Sequence, residues 1–190
     1  MFSPRTRFLL YSRPYFRTCE IFCNHAARIF DAKGILANCE DSVKKLNAKR
    51  ARYQRILNRI GSSHGHVCAE CKGECCGGQR DRDAFLDRVL QDPKTQKRTA
   101  RNKRPAQEYI DAGCKPGEHG HCAELTNKGC KIPYDQRPIQ CTAYFCSPCI
   151  AALSEKQCIT GTKALSALMR IQWESVKLAM RQRFSPSSNK

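Results

Sequence analysis

The sequence predicts a mostly α-helical protein, namely a small helical domain with irregular cysteine-rich metal-binding loops. Apolar residues recur at alternating steps of three and four over residues 26–60 and at helical spacing over 163–184, which is typical of helices that bury one face. Most of the 14 cysteines lie between these two stretches, in short segments that glycine and proline interrupt. The 190 residues are enough for one domain with extensions.

Residues 1–25 are predicted to be an extension outside the domain. Arginine is frequent here, and the first acidic residue is Glu20. Such a start is typical of a disordered extension or of an organelle-targeting segment. We therefore expect a cytoplasmic protein, with import into an organelle as the alternative. The domain is expected to span residues 26–184, and a polar tail follows at 185–190.

Residues 26–60 are predicted to form one long helix that packs against a neighbour through a continuous seam. The seam consists of Leu36, Cys39, Val43, Leu46, Arg50, Tyr53, Leu57 and Ile60. Gly61 follows the last seam residue and suits a C-terminal cap. The other faces carry Lys44, Lys45, Lys49, Arg52, Arg55 and Arg59. These cations form either a solvated face or a surface for an anionic partner.

Residues 62–149 are predicted to form the metal-binding core, because nine cysteines occur there in two groups. The first group is Cys68-x2-Cys71-x3-Cys75-Cys76, and the second is Cys122-x7-Cys130-x10-Cys141-x4-Cys146-x2-Cys149. Four thiolates suffice to hold a zinc ion or an iron–sulfur cluster. The alternative is a disulfide framework, but the N-terminus lacks the apolar run of a secretory signal. Metal binding is therefore the favoured interpretation.

Three motifs accompany these cysteines: Cys122-Ala-Glu-Leu, Gly129-Cys130-Lys-Ile-Pro, and Arg137-Pro138-x2-Cys141-x2-Tyr144-x-Cys146. Together with the C-x2-C-x3-C-C pattern of the first group, their order and spacing resemble the YkgJ-type cysteine-cluster family. That family is described as a zinc- or iron-chelating domain, and the resemblance covers residues 68–149. It implies that the cofactor is zinc or iron, with an iron–sulfur cluster as one form of the latter. The implied ligands are Cys68, Cys71, Cys75, Cys76, Cys122, Cys130, Cys141 and Cys146.

Four other residues are predicted to support this site. The Arg137 guanidinium is expected to neutralise thiolate charge, unless it forms a surface ion pair instead. Tyr144 is expected to pack over the metal and to donate a hydrogen bond. Cys149 and His121 are additional candidate ligands outside the firm part of the pattern, and neutral imidazole binds both zinc and iron well.

A basic linker is predicted at residues 93–105, between the two cysteine groups. It contains Lys94, Lys97, Arg98, Arg101, Lys103 and Arg104 without any acidic residue. Repulsion between like charges keeps such a segment extended, so it is either simply solvated or contacts phosphate groups. The formal net charge of the chain is +17, which favours an anionic partner for this linker and for the basic helix.

The C-terminal region, residues 150–184, is predicted to contain two helices. A short helix is expected at Ile150–Cys158 and a longer amphipathic one at Lys163–Phe184, which packs against the long N-terminal helix. No stretch approaches the roughly 20 apolar residues of a transmembrane helix. We therefore expect a soluble protein without a membrane partner.

Three functions agree with these patterns. The first is a protein that chelates zinc or an iron–sulfur cluster through its clustered cysteines. The second is a metal-dependent enzyme, although no familiar catalytic motif of a hydrolase or transferase is present. The third is a basic nucleic-acid-binding or scaffold protein whose zinc is purely structural. The first is favoured because it requires only the residues observed.

Overall fold

The computed structural model describes residues 2–64, 67, 86, 90, 125–126, 129–130, 137 and 139–184. This part of the chain is mostly α-helical, as predicted. The helical elements are α1 (Pro4–Leu10), a π-helical segment (Tyr11–Tyr15), α2 (Phe16–Ile29), α3 (Ala32–Ala37), α4 (Glu40–Ser62), α5 (Ile139–Ala143), α6 (Ser147–Ala152) and α7 (Glu155–Phe184). Two short strands, β1 (Leu125–Thr126) and β2 (Gly129–Cys130), pair in antiparallel register.

The N-terminal segment forms one nearly continuous helical rod. The Ser3 side chain accepts a hydrogen bond from the backbone of Thr6 at 3.2 Å, and Pro4 occupies the first helical position. Pro14 lies inside the π-helical segment. A proline removes one backbone donor and crowds the preceding turn, and the wider π turn relieves both effects. The chain therefore passes from α1 into α2 without a break.

This rod is part of the core, which differs from the expected extension at residues 1–25. Phe8, Phe16 and Cys23 are buried, together with Ala27. Phe16, Glu20, Cys23 and Ala27 lie at steps of three and four and so share one face of α2. The N-terminal segment is helical and packed because this face contacts α7, which is distant in the sequence. The prediction of a targeting role remains a prediction.

The single helix predicted at residues 26–60 is wrong, because the chain bends twice within it. Asp31 adopts a left-handed backbone conformation with φ of 46°, which ends α2 and separates it from α3. A second break precedes Glu40, and the acidic first turn of α4 interacts favourably with the helix N-terminus. Gly61 lies inside α4 and is not its cap.

The seam itself is confirmed within α4, where Leu46, Arg50, Leu57 and Ile60 are all buried. The partner of this seam is α7, in agreement with the predicted packing of the N-terminal and C-terminal helices.

Helix α7 is the central element of the bundle. It spans 30 residues, or about 45 Å, and packs against α1, α2, α3 and α4. The two predicted C-terminal helices therefore differ from those observed: α6 begins earlier, and α7 runs unbroken through Cys158. The core side of α7 is formed by Leu165, Leu168, Ile171, Val176 and Ala179.

The N-terminal rod and α7 run parallel to each other. A β-carbon at Gly161 would lie 2.5 Å from the ring of Phe8, so only glycine permits this approach. Further along, the Phe22 and Trp173 rings lie 5.6 Å apart. The two helices thus stay side by side over most of their length. None of the helices in the described ranges is long and apolar enough to cross a membrane.

Candidate metal centre

Three of the predicted ligands lie on one short segment that comprises α5, α6 and the residues between them. Cys141 is exposed on α5, whereas Cys146 and Cys149 are buried at the start of α6. The Cys146 carbonyl accepts the first hydrogen bond of α6, from the Ile150 amide at 3.0 Å. Pro148 lies in the first turn of α6, where a missing backbone donor is tolerated. The sequence therefore fixes Cys146 and Cys149 within a single helical turn of each other.

The N-terminal rod holds the loop between α5 and α6. The Arg13 guanidinium donates a hydrogen bond to the Phe145 carbonyl at 3.2 Å and lies 5.3 Å from the centre of the Tyr144 ring. The Phe145 ring packs on Phe8 with 4.9 Å between ring centres. Both contacts fix the backbone immediately before Cys146. The segment that carries the candidate ligands is thus held by residues of the rod.

Helix α4 holds the other end of this segment, near Arg137. The Gln54 amide donates a hydrogen bond to the Arg137 carbonyl, and the Arg50 guanidinium contacts the Gln54 oxygen at 3.2 Å. Asn47 accepts a second hydrogen bond from Arg50 at 2.9 Å. This buried polar chain explains why a charged residue occupies the seam of α4. It orients the Gln54 side chain toward the segment before α5.

The two residues predicted to support the metal have specific surroundings in the structure. Arg137 is half-buried, and its backbone carbonyl is the group that α4 contacts. The Tyr144 ring lies beside the Arg13 cation. A role of either side chain toward thiolates stays a prediction.

The end of α4, which precedes the first cysteine group in the sequence, is also tied to α6 and α7. His64, at the end of α4, lies with Nε2 3.1 Å from the Ala152 carbonyl and with Nδ1 2.8 Å from the Ser63 hydroxyl. Gln157 donates a hydrogen bond to the same hydroxyl at 3.2 Å. Val67 is buried in the core, and Cys68 is the next residue. His64, four positions before Cys68 in the sequence, therefore lies beside the helix that carries Cys149.

The remaining predicted ligands lie outside the described residues or are described only by their backbone. Cys130 belongs to β2, paired with Leu125. Cys68, Cys71, Cys75, Cys76, Cys122 and His121 lie outside the described ranges, as does the basic linker 93–105. Among the side chains that the structure describes, no group of three or more His, Cys, Asp or Glu residues is arranged to hold a metal ion.

A second set of cysteines lies on the long helices. On α2, the Cys19 and Cys23 sulfurs are 4.0 Å apart, and the Cys19 thiol also contacts the Met169 carbonyl at 3.8 Å. The hydrogen bond from Cys23 lowers the pKa of Cys19, while the same bond and burial raise the pKa of Cys23. Burial likewise raises the pKa of Cys158 on α7. These three thiols therefore differ in reactivity, with Cys19 the most readily ionised.

Nothing in the sequence patterns singled out Arg13 or Gln54, although both hold the backbone that carries the candidate ligands. Their one signal was indirect, since Arg50 interrupts an otherwise apolar seam and marks a buried polar contact on α4. No family model, curated protein or solved structure matches the chain. The similarity to the YkgJ-type family therefore stays a resemblance.

Proposed function

We propose that this protein chelates zinc or iron, the latter including an iron–sulfur cluster, through its clustered cysteines. The observation that supports this most is the anchoring of the α5–α6 segment. Residues from α1, the π-helical segment and α4 converge on the backbone around Cys141 and Cys146. A segment built only to connect two helices does not need such anchoring, whereas a ligand set must be held in a fixed geometry.

The contact between His64, just after α4, and Ala152 of α6 supports a single metal site that uses both cysteine groups. Cys68 follows His64 by four positions, so their Cα atoms lie at most about 14 Å apart. Cys149 is one helical turn from Ala152, whose carbonyl contacts His64. These distances thus set an upper limit on the distance between Cys68, the first residue of the first group, and Cys149 in the second. Loop closure of this kind reduces the entropy lost when distant ligands meet at a metal.

The donor set determines the metals that fit. Thiolates are soft ligands that suit both zinc and iron–sulfur clusters. The adjacent Cys75 and Cys76 favour a cluster or two neighbouring metals, because adjacent side chains in regular structure do not converge easily on one ion. The excess of 34 basic over 17 acidic residues would offset part of the charge of several thiolates. Because each ligand must lose its proton, metal affinity should increase with pH.

The first experiment is anaerobic purification, followed by an absorption spectrum and elemental analysis for zinc, iron and acid-labile sulfide on one sample. Brown protein with iron and sulfide would identify an iron–sulfur protein. Colourless protein with zinc would identify a zinc-binding domain. Protein without metal whose thiols are all oxidised would overturn the proposal in favour of disulfides.

Matched cysteine variants sharpen this experiment. We expect the double variant Cys141→Ser/Cys146→Ser to lose most of its metal, because both residues belong to the proposed ligand set. The control is Cys39→Ser, at a half-buried thiol near the start of α4 that lies outside the ligand set. Equal metal content in the unmodified protein, the double variant and Cys39→Ser would contradict the assignment of Cys141 and Cys146.

A second candidate function is contact with an anionic partner, such as nucleic acid, through α4. All six basic residues predicted on its outer faces are exposed: Lys44, Lys45, Lys49, Arg52, Arg55 and Arg59. Phosphate contacts of this kind weaken steeply with salt. Fluorescence anisotropy with a labelled oligonucleotide at increasing salt tests this function. Binding that glutamine substitution of these six residues leaves unchanged would exclude α4 as the surface.

A further inference from the structure

The outer surface where α2 and α7 meet carries exposed apolar side chains. We call this surface the α2–α7 face and define it by Tyr15, Phe22, Ile29, Trp173 and Phe184. Tyr15, Phe22 and Ile29 repeat every seven residues, so they form one line along the helical rod. Phe22 and Ile29 are 58% and 59% exposed, although both are large and apolar. A row of large, exposed apolar side chains of this kind indicates a binding surface.

The exposed charges of α7 beside this face are mostly positive. Arg170, Lys177 and Arg181 are exposed on the same side of α7, and the Lys177 ammonium lies 5.5 Å from the centre of the Trp173 ring. The acidic residues of α2 and α7 are buried, paired or distant. Glu20 is buried, Glu174 forms a 3.5 Å ion pair with Lys49 of α4, and Glu155 lies about 27 Å from Trp173 along α7. The face thus favours a negatively charged partner.

Two ring contacts bridge the boundary between the rod and α7 on this side. The rings of Phe22 and Trp173 meet across the boundary between the helices, and those of Phe30 and Phe184 meet 6.1 Å apart further along. Because these ring pairs occupy the boundary between the helices, they leave less of a groove for a partner helix. A nucleic acid is disfavoured as well, because Phe22 and Lys177 already contact the Trp173 ring on which a base would stack.

A second copy of the chain is also disfavoured, since the three cations of one face would repel those of the other. An apolar surface with several exposed cations beside it suits an anionic bilayer, where aromatic side chains enter the headgroup region. We propose that the α2–α7 face docks this protein onto an anionic lipid surface, with α2 and α7 lying in its plane. Docking of this kind needs no membrane-spanning run, so hydropathy along the sequence does not reveal it. The proposal is independent of the metal.

Trp173 reports directly on this proposal, because it is the only tryptophan in the chain. The full-length protein is mixed with phosphatidylcholine vesicles that contain about one-third phosphatidylserine, or with pure phosphatidylcholine vesicles. We expect the protein to sediment with the anionic vesicles and the Trp173 emission to shift to shorter wavelength. Both effects should be weak with neutral vesicles and should decrease at high salt. Sedimentation without an emission shift would overturn the proposal, because another basic segment would then bind the lipid.

Two double variants with the same change in charge test the surface. Phe22→Glu/Ile29→Glu places carboxylates on the face, at positions exposed enough to tolerate them. Ala48→Glu/Ala51→Glu places them at exposed positions of α4. We expect vesicle partitioning to fall by about tenfold or more in the first variant and to change little in the second. Circular dichroism checks that both remain helical.

Two other outcomes would replace the lipid with a different partner. A lipid-free dimer that the Phe22→Glu/Ile29→Glu variant abolishes would identify a second copy as the occupant. A Trp173 emission change caused by single-stranded oligonucleotide, and not by vesicles, would identify a nucleic acid. Equal partitioning of both double variants into anionic vesicles would also exclude the α2–α7 face as the lipid-binding surface.

Discussion

The cysteines on the long helices and those on the α5–α6 segment lie in different surroundings. Cys19, Cys23 and Cys158 occupy positions where α1, α2 and α7 pack together, so their spacing follows the helical repeat. Cys146 and Cys149 lie instead on a short segment whose backbone is held by side chains from other helices. A buried thiol on a long helix acts mainly as a small apolar group. Cysteine content alone therefore overstates the number of metal ligands.

The largest effect should come from removing the packing that joins the rod to the α5–α6 segment. We expect Phe8→Ala to lower the free energy of unfolding by about 3–5 kcal/mol, because a fully buried ring is lost. The cavity would lie beside Phe145, so Cys146 should react faster with alkylating reagents while Cys23 stays protected. Urea unfolding and mass-spectrometric thiol mapping measure both effects. Phe2→Ala, at an exposed ring, is the control and should change stability by less than about 0.5 kcal/mol.

Substitution of Cys158, the buried thiol on α7, distinguishes a role in packing from a role in metal binding. Cys158→Ser should lower the free energy of unfolding by about 1–3 kcal/mol, because a hydroxyl is buried in apolar surroundings. Metal content should not change. A Cys158→Ser variant that folds normally but loses metal would place Cys158 among the ligands. The cysteines of the long helices would then not differ in function from those of the α5–α6 segment.

The stability of the protein should also depend on pH because of Cys158. Burial raises the pKa of Cys158, and the nearby Arg5 offsets this only in part. Above about pH 8.5 the unfolded chain releases the thiol proton while the folded protein retains it, so stability should fall as pH rises. Thermal unfolding between pH 7.5 and about 9.5 should show a shallower decline in Cys158→Ala than in the unmodified chain. Identical slopes would contradict the raised pKa.

A smaller loss of stability is expected when the contact between the rod and the loop after α5 is removed. Arg13→Met removes the hydrogen bond to Phe145 and the cation beside Tyr144, and we expect a loss of about 1–2 kcal/mol. Arg17→Met, at an exposed position of α2, is the control for the change in charge. Guanidinium chloride unfolding of both variants distinguishes them. Equal stabilities would mean that the loop is held without Arg13.

The smallest effect concerns the ion pair between α4 and α7. Lys49 and Glu174 lie 3.5 Å apart, but both side chains are about half exposed. Solvent screening leaves such a pair with little net energy, so Lys49→Ala should change stability by less than about 0.5 kcal/mol. A larger loss in a melting experiment would show that the contact between α4 and α7 depends on charge as well as on packing.

The sequence predicted those parts of the fold whose signals are local and periodic. The seam of Leu46, Leu57 and Ile60 identified α4 and its packing on the C-terminal helix. The break at Asp31 was missed, because one left-handed residue leaves no periodic signal. The N-terminal rod was missed for a different reason. The frequent arginines and the lack of an acidic residue before Glu20 suggested an extension, whereas the buried face of Phe8 and Phe16 depends on α7, a partner far along the chain.

The candidate site was predictable only as a set of residue types. Cysteine spacing predicted ligands on the α5–α6 segment, but the polar groups that hold this segment contact backbone carbonyls. The Arg13 contact with Phe145 spans 132 positions and the Gln54 contact with Arg137 spans 83. Every residue has a carbonyl group, so no motif in the sequence marks the acceptor of such a bond. These contacts follow from the packed arrangement of helices, and the sequence does not express that arrangement locally.

The parallel packing of the rod and α7 has a consequence for the synthesis of this protein. The apolar side of α1 is made first, but the turn of α7 around Gly161 that covers Phe8 is made about 150 residues later. At typical translation rates this delay is roughly 8 to 30 s. During that time the first two helices of the nascent chain present Phe8 and Phe16 to the surrounding solution. We therefore expect ribosome-bound chains that end before Glu155 to engage chaperones through these helices, and chains that include α7 to release them.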